Sequence, residues 1–497
     1  MSRYLGIDLG TQSLKAIVYD AEQQGVIASA SSALELISET DGTREQLASW
    51  WLSALHEALA ALDKDILGSV VAIGVSGQQH GFTPVAADGS VVAPVKLWCD
   101  TATTAECEEI TSAFGGEEKL LAEVGNPILP GYTASKILWL KRHNPEAYRQ
   151  MATIMLPHDY INFYLTGERF AEYGDASGTG LLDIRQRQWH RGMLESLDPE
   201  RDLGEALPAL VGPADIGGQL KDSVAEQLGL PASIPVACGG GDNMMAAIGT
   251  GTLAPGRLTM SLGTSGTMFA YSETPAIDPG GELAAFCSST GGWLPLLCTM
   301  NCTVATELAR DLFNTDLATL EALVNDSRPG ANGVTVLPFY NGERTPNLPN
   351  GKGCMLGLDA GNTTPANILR ASMEAAVFGL RTGLEAFARV GCDITDIRIT
   401  GGGSASPAWR QMIADTFTLP VRVPALDEGA ALGAAFNALL VHRGVADNAS
   451  ASASLLDEHI RFEESATAQP NQKTAAAYEN AYGRYRQYVE QLTPLFE

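Results

Sequence analysis

Two hydrophobic periods alternate along the chain. Leu5 and Ile7, then Ala16, Ile17, Val18 and Tyr19, form β-type runs, and Gly10, Thr11, Gln12 and Ser13 between them are turn residues. A hairpin is predicted there. Glu45 to Asp63 changes to the helical period, with Leu47, Trp51, Leu55, Ala58 and Leu62 on one face, which predicts an amphipathic helix. Val70 to Val75 predicts a buried strand ending in Ser76-Gly77-Gln78-Gln79-His80-Gly81. Helices follow over 135–144 and 145–151, and a further segment opens at Leu156 and closes at Gly167. Alternating strands and helices predict an α/β fold.

The stretch from Ile234 to Gly251 reads as a short strand, a glycine turn and a helix of small residues. It predicts a division into residues 1–250 and 251–497, two domains being the default for a chain of 497 residues. The second part repeats the style, with a strand at Ile397 to Thr400 and a helix around Trp409 to Phe417. Asn448 to Ser454, low in complexity, predicts a surface linker. Thr474 to Leu492 predicts a helix whose stripe of Tyr478, Ala481, Tyr482, Tyr485, Val489 and Leu492 serves packing.

One phrase occurs twice. Ile7 to Thr11 reads I-D-L-G-T and Met260 to Thr264 reads M-S-L-G-T, each between β-forming runs. Backbone N–H groups converging in such a turn can hold an anionic oxygen. The doubling predicts two similar domains that each aim a phosphate-binding hairpin at a shared cleft. Asp8 in one copy stands where Ser261 stands in the other, so the halves share a shape but not a role.

Composition narrows the partners. Hydrophobic residues make up 45% and charged residues 18%, and the formal charge is −26. That charge argues against nucleic acid or an anionic membrane as partner, but local N–H groups and a divalent cation can still hold an anionic small ligand. No apolar run has the length of a membrane span, and Met1 to Tyr4 leads straight into a strand, which predicts a cytoplasmic protein without a signal segment. The eight cysteines are scattered, and they are read as reduced packing residues.

Four constellations can carry chemistry. Asp8 at a strand end, beside the donors of Gly10, Thr11, Gln12 and Ser13, suits a hydrated Mg²⁺ on a polyphosphate; the alternative is an Asp that satisfies its own turn. Asp242 follows three glycines and precedes Asn243 at a helix start. It is placed either to accept a proton from an attacking hydroxyl or to cap the helix. Gly401-Gly402-Gly403-Ser404 follows a strand, where α/β proteins bind nucleotides. Gly429 and Gly433 allow close helix packing behind such a site. No P-loop motif and no dinucleotide fingerprint with an acidic ribose reader is present. Gln78, Gln79 and His80, with Trp98 and Asp100 near in sequence, suit a polyhydroxylated uncharged ligand.

Together these residues resemble the FGGY carbohydrate kinases, and within them the xylulokinases, over nearly the whole chain. The resemblance rests on G-I-D-L-G-T-Q-S-L-K, S-G-Q-Q-H-G, L-W-C-D ending at Asp100, G-Y-T-A-S-K-I-L-W, D-A-S-G-T from Asp175, G-G-G-D-N, S-L-G-T-S-G, G-E-R-T-P and G-G-G-S-A-S-P-A-W-R-Q, in that order. Glycerol kinases carry an Arg-Glu pair where this chain has Gln79 and His80. Many relatives have an Arg soon after the W-x-D segment, where this chain has Thr101-Ala102-Thr103.

The resemblance implies two ribonuclease-H-like domains of the actin and hexokinase superfamily, closing on ATP across a cleft. It implies that Asp242 is the general base and that Asp8 organises Mg²⁺. Gly10, Thr11, Gln12, Gly263 and Thr264 fall to the phosphates, and Gly402 and Gly403 to adenosine. Gln79, His80, Asp100, Asp242 and Asn243 fall to the sugar. The implied reaction is ATP-dependent phosphorylation of D-xylulose to D-xylulose 5-phosphate in xylose catabolism. The alternatives are a kinase for L-xylulose, ribulose or glycerol, or a non-catalytic actin-like nucleotide-binding protein. A homodimer is kept open.

Overall fold

The computed structural model describes residues 2–496. Two sheets are built on one plan. In the first, Arg3–Leu9 pairs antiparallel with Ser13–Asp20 and parallel with Val70–Gly77. Gly25–Ala33 extends it on one side, and Pro235–Ala237 and Ile216–Gln219 on the other. In the second, Arg257–Leu262 pairs antiparallel with Gly266–Ala270 and parallel with Asp396–Thr400. Leu296–Thr299 and Val421–Arg422 close its two edges. Each centre is thus a hairpin plus one parallel strand, the core of a ribonuclease-H-like unit. Both duplicated phrases lie at the hairpin turns, because Gly and Thr supply the turn between two β-forming runs.

Two helices lie between the sheets. Gly429–His442 rests on the first sheet, and Asp242–Thr250 rests on that helix. The approach is close because small residues face each other. A Cβ added at Gly6 would lie 2.0 Å from the carbonyl oxygen of Ala431, and one at Gly74 would lie 1.9 Å from that of Ala434. Gly433 faces the backbone of Met245 in the same way, so its missing side chain serves this helix pair. The layer is apolar: Met244, Met245, Ala247 and Ile248 meet Ala431, Ala434, Ala435 and Leu439. Separate cores back the first sheet, around Trp51 and Leu55, and the second, around Phe378 and Phe387.

Two expectations need correction. Asn448 to Ser454 is not a linker: Ala449–His459 is a helix, capped by the Asn448 side chain on the N–H of Ala451 (3.0 Å). Alanine is a strong helix former, and buried Leu456 anchors the segment. The helix expected from Glu45 begins only at Ala48, because Arg44–Gln46 is drawn into a small strand pairing and the Gln46 side chain is fully buried. The tyrosine stripe does pack internally: Tyr478, Tyr482 and Tyr485 are buried against Phe378 and its neighbours. All eight cysteines are free thiols. No helix among the described residues is long and apolar enough to cross a membrane.

Candidate active site

The first hairpin places Asp8 opposite Lys15 and beside Ser76, whose hydroxyl donates to Asp8 Oδ1 at 2.8 Å. Burial raises the Asp8 carboxyl above its ordinary range, against the opposing pull of Ser76 and Lys15. Gly10 N–H closes the turn on Ser13 O (3.0 Å). Thr11 is tied on three sides: its hydroxyl donates to Gln78 Oε1 (3.0 Å) and accepts from Trp98 Nε1 (2.9 Å), and its carbonyl accepts from Gln46 Nε2 (2.8 Å). Gln12 at the tip is exposed. Gln46 also receives Trp51 Nε1 and Gln78 Nε2. It therefore stiffens the turn from beneath, a role that sequence reasoning missed.

The strand Val70–Gly77 delivers Gln79 and His80 to the start of Asp242–Thr250. Gln79 Oε1 accepts from Asn243 Nδ2 at 2.6 Å, and Asn243 donates to Asp242 Oδ1 from its backbone (2.8 Å) and side chain (3.1 Å). Gly241 makes room for this: a Cβ there would lie 2.7 Å from Gln79 Cγ. Asn243 thus orients Asp242 through one oxygen, Oδ1, and makes no bond to Oδ2. Burial, followed by the like charges of Asp8 and Asp175, pushes the Asp242 carboxyl up to about 7. A carboxylate with that value is matched to proton transfer at neutral pH.

His80 is held in an uncommon conformation, with φ of 62°. Its carbonyl accepts from Lys136 Nζ (2.7 Å) and Thr133 Oγ1 (3.1 Å), and its N–H donates to Asp175 Oδ1 (3.3 Å). The ring lies between Tyr132 and Phe286 and directly on Gly178. Burial, with Lys136 and Arg344 nearby, holds the imidazole well below its ordinary value, so it is neutral. Asp175 also accepts from His158 Nδ1 (3.0 Å), while Asp159 lies 3.0 Å from His158 Nε2. Burial opposes charge on His158, but its two carboxylates outweigh that and raise the imidazole well above its ordinary value. Lys136 is buried and donates to carbonyl oxygens, those of His80 and Gly131 (both 2.7 Å). Burial brings its ammonium down to about 7 despite the charge of Asp100. His158 and Lys136 pin the His80 segment from behind; Lys136 lies in the quoted G-Y-T-A-S-K-I-L-W motif without having been singled out, and His158 lies in none of the quoted motifs.

At the second hairpin, Gly263 N–H meets Ser265 O (3.1 Å), and Gly263 O accepts from Thr303 N (3.0 Å) and Thr303 Oγ1 (2.9 Å). The Thr264 side chain is exposed. Gly401 has φ of 81° and lies against Leu262: a Cβ would lie 2.7 Å from the Leu262 carbonyl oxygen, and one on Gly403 would lie 2.8 Å from the Leu262 side chain. The hairpin turn and the Gly401 to Gly403 motif are therefore adjacent, with Gly402 exposed between them. Glu321 fixes the far end of the motif by accepting from Ser406 Oγ and Ala408 N, both at 2.6 Å. The two sides are joined by the ion pair of Lys15 with Glu428, and neighbouring Asp427 accepts the N–H of Gly401 within the second side.

Asp8, Gln79, His80, Asp242 and Asn243 are thus brought together, and Gly10, Thr11 and Gln12 with Gly263, Thr264, Gly402 and Gly403 occupy the two glycine-rich faces. Asp100 stands apart in character. It is fully buried and accepts from Arg44 N (2.8 Å), Lys96 Nζ (2.9 Å) and Ala102 N (3.1 Å). Its oxygens are spent on the protein, which makes it an anchor for the segment.

A cation fits the donor chemistry. Two carboxylates, Asp8 and Asp242, repel within electrostatic reach, and no cluster of three metal-binding side chains occurs among the described residues. Mg²⁺ commonly takes one or two carboxylates, completed by water and substrate phosphate.

The chain is 42% identical to a xylulose kinase of Haemophilus influenzae, over 98% of this chain and 100% of the relative. It matches the crystal structure of a "xyloylose kinase" from Brucella ovis with TM-score 0.91 and 30% identity, covering 99% of this chain and 100% of that one. A gluconate kinase from Lactobacillus acidophilus matches with TM-score 0.90 at 23% identity, covering 99% of this chain and 98% of that one, which speaks to the fold alone. The N-terminal domain model of the FGGY family of carbohydrate kinases matches residues 3–249 and the C-terminal domain model residues 258–441. With both halves matched and the duplicated hairpins in place, the chain belongs to the FGGY family of carbohydrate kinases.

Proposed function

We propose that this protein phosphorylates D-xylulose at its terminal hydroxyl with ATP, giving D-xylulose 5-phosphate and ADP in xylose catabolism. The observation that carries this reading is Asp242: a carboxylate raised to about 7 and oriented by Asn243, which also donates to Gln79. Asp242 Oδ2 takes the hydroxyl proton as the sugar oxygen forms its bond to the γ-phosphorus. The bond from that phosphorus to the β-bridging oxygen breaks, and the pair of electrons leaves with ADP. No covalent enzyme intermediate is needed. Residues 1–250 supply the sugar side and residues 251–497 the adenosine side. The turns at Gly10–Gln12 and Gly263–Thr264 hold the phosphates by the N–H groups of Thr11, Gln12 and Thr264, those of Gly10 and Gly263 being used within the turns. Asp8 holds Mg²⁺, which supplies charge neutralisation of the phosphates when bound. Neutral Gln79 and His80 suit an uncharged polyol, and the 42% identity to a xylulose kinase supports the ketopentose.

The test is an ADP-release assay over D-xylulose, L-xylulose, ribulose, glycerol and gluconate, with and without Mg²⁺. D-xylulose is expected to give the highest kcat/KM, and only with the metal. Preference for another sugar would overturn the substrate, and ATP binding without sugar-stimulated turnover would overturn the kinase reading.

The pH profile should follow the base. Asp242 works ionised, so kcat/KM is expected to fall tenfold per unit as pH drops below about 7. A flat profile from pH 5 to 8 would remove Asp242 from that role. Gly178→Ala tests the sugar side: its Cβ would lie 1.9 Å from His80 Cε1 and 2.1 Å from His80 Nδ1. KM for the sugar is expected to rise at least about tenfold, equivalent to ~1.4 kcal/mol of contact, with KM for ATP little changed.

A further inference from the structure

Away from the active site, a cavity of about 500 Å³ is lined by Arg257, Arg398, Arg422, Arg461, Asp457 and Phe462 among others. Arg257 begins the strand whose other end carries the second hairpin turn, so the cavity lies at the opposite end of that sheet. Four guanidiniums in one cavity are notable in a chain of formal charge −26, where the overall field repels anions. Two are used structurally. Arg257 forms a two-pronged pair with Asp457 (3.0 and 2.7 Å) and donates to Gly251 O (3.0 Å). Buried Arg398 donates to Asp396 Oδ2 (3.0 Å) and to Thr250 O. Between them they hold the C-terminal end of the helix that begins at Asp242.

The other two have no such explanation. The nearest carboxylate to Arg422 in an ion pair is Asp396, at 3.8 Å, and that oxygen already serves Arg398. Among the described residues, Arg461 meets the neutral amide oxygen of Gln24 and forms no ion pair. Carboxylates do share the rim, Asp457 and Glu464, and they limit the excess positive charge. Arg422 is braced by Phe462, its guanidinium carbon lying 3.6 Å from the ring centroid, with Arg398 at 5.2 Å. A braced, planar guanidinium is a pre-set fork for phosphate oxygens. Because guanidiniums already engage the face of Phe462, the ring offers no platform for a nucleobase.

We infer that this cavity is a second ligand site, which takes a small phosphomonoester on a non-aromatic skeleton, such as a sugar phosphate, through Arg422 and Arg461. Its volume is that of a small-metabolite site.

The test uses the full chain saturated with Mg²⁺ and a non-hydrolysable ATP analogue, titrated calorimetrically with inorganic phosphate, ribose 5-phosphate or AMP. Ribose 5-phosphate is expected to bind in the wild type with an affinity that falls as salt is raised. The Arg422→Gln/Arg461→Gln variant is expected to lose at least tenfold of that affinity, with kcat unchanged when no added phosphate is present. Arg461→Gln alone, at an exposed side chain, keeps the test open should the double variant misfold. No saturable binding in the wild type, or wild-type affinity retained in both variants, would overturn the site. Binding of AMP tenfold tighter than ribose 5-phosphate would overturn the ligand class, and binding of inorganic phosphate alone would show that no sugar is recognised.

Discussion

Asp242→Asn is expected to lower kcat by about a thousandfold, within the range that a positioned general base supplies, while the affinities for ATP and sugar stay near their original values. The amide keeps the shape and can still receive Asn243 at Oδ1, but it cannot take the proton from the attacking hydroxyl. The same substitution should stabilise the protein. Asp242 has a folded-state value of about 7 against an ordinary 3.8. The stability this group contributes is therefore fully present below pH 4, where it is protonated in both states, and is lost as pH rises through 7. At pH 8 the asparagine variant should melt a few degrees higher than the parent, and near pH 4 the advantage should vanish. Near-normal turnover, or a lower melting temperature at pH 8, would count against a strained catalytic carboxylate.

Gly433→Ala is expected to cause the largest loss of stability of any single methyl group. Its Cβ would lie 1.6 Å from the carbonyl oxygen of Met245 and 2.4 Å from the carbonyl carbon. Backbone cannot step aside as a side-chain tip can, so the two central helices must separate. Overpacking of this kind costs about 3 kcal/mol or more, a fall in Tm of roughly 6–12 °C. Turnover should suffer beyond the loss of folded protein, because Met245 lies three residues after Asp242 on the same helix. Gly483→Ala is the control. It sits in the helix Gln472–Leu492, where an added Cβ would meet nothing within 4 Å, and alanine there should be neutral or raise stability by about 0.5–1 kcal/mol. Equal melting of the two variants would refute the close-contact explanation.

What the sequence made legible was governed by local chemistry. The hairpins, the Gly239 to Asn243 turn and the Gly401 to Gly403 motif stand out because glycine marks where backbone must turn or approach closely. The tyrosine stripe was readable from its period alone. Asn448 to Ser454 misled because alanine and serine in alternation look like linker composition, while Asn448 is a helix cap and Leu456 the anchor. Asp100 lay in the right motif, but its three donors come from Arg44, Lys96 and Ala102, and only the last two are near it in sequence. Gln46 and His158 were invisible for the same reason: their partners are Thr11 and Asp175, brought close only by folding, and Lys136 stood in a quoted motif while its bond to the His80 carbonyl was not readable there. The raised value of Asp242 is likewise a product of assembly, since Asp8 and Asp175 come from distant parts of the chain.

The helix Gly429–His442 has a consequence for synthesis. The strands it covers, Arg3–Leu9 and Val70–Gly77, leave the ribosome early, yet their apolar cover is made more than three hundred residues later. Until then the nascent amino-terminal sheet has one bare greasy face. The polypeptide should therefore acquire protease resistance only near the completion of translation, and its growing form is a natural client for chaperones that shield such surfaces.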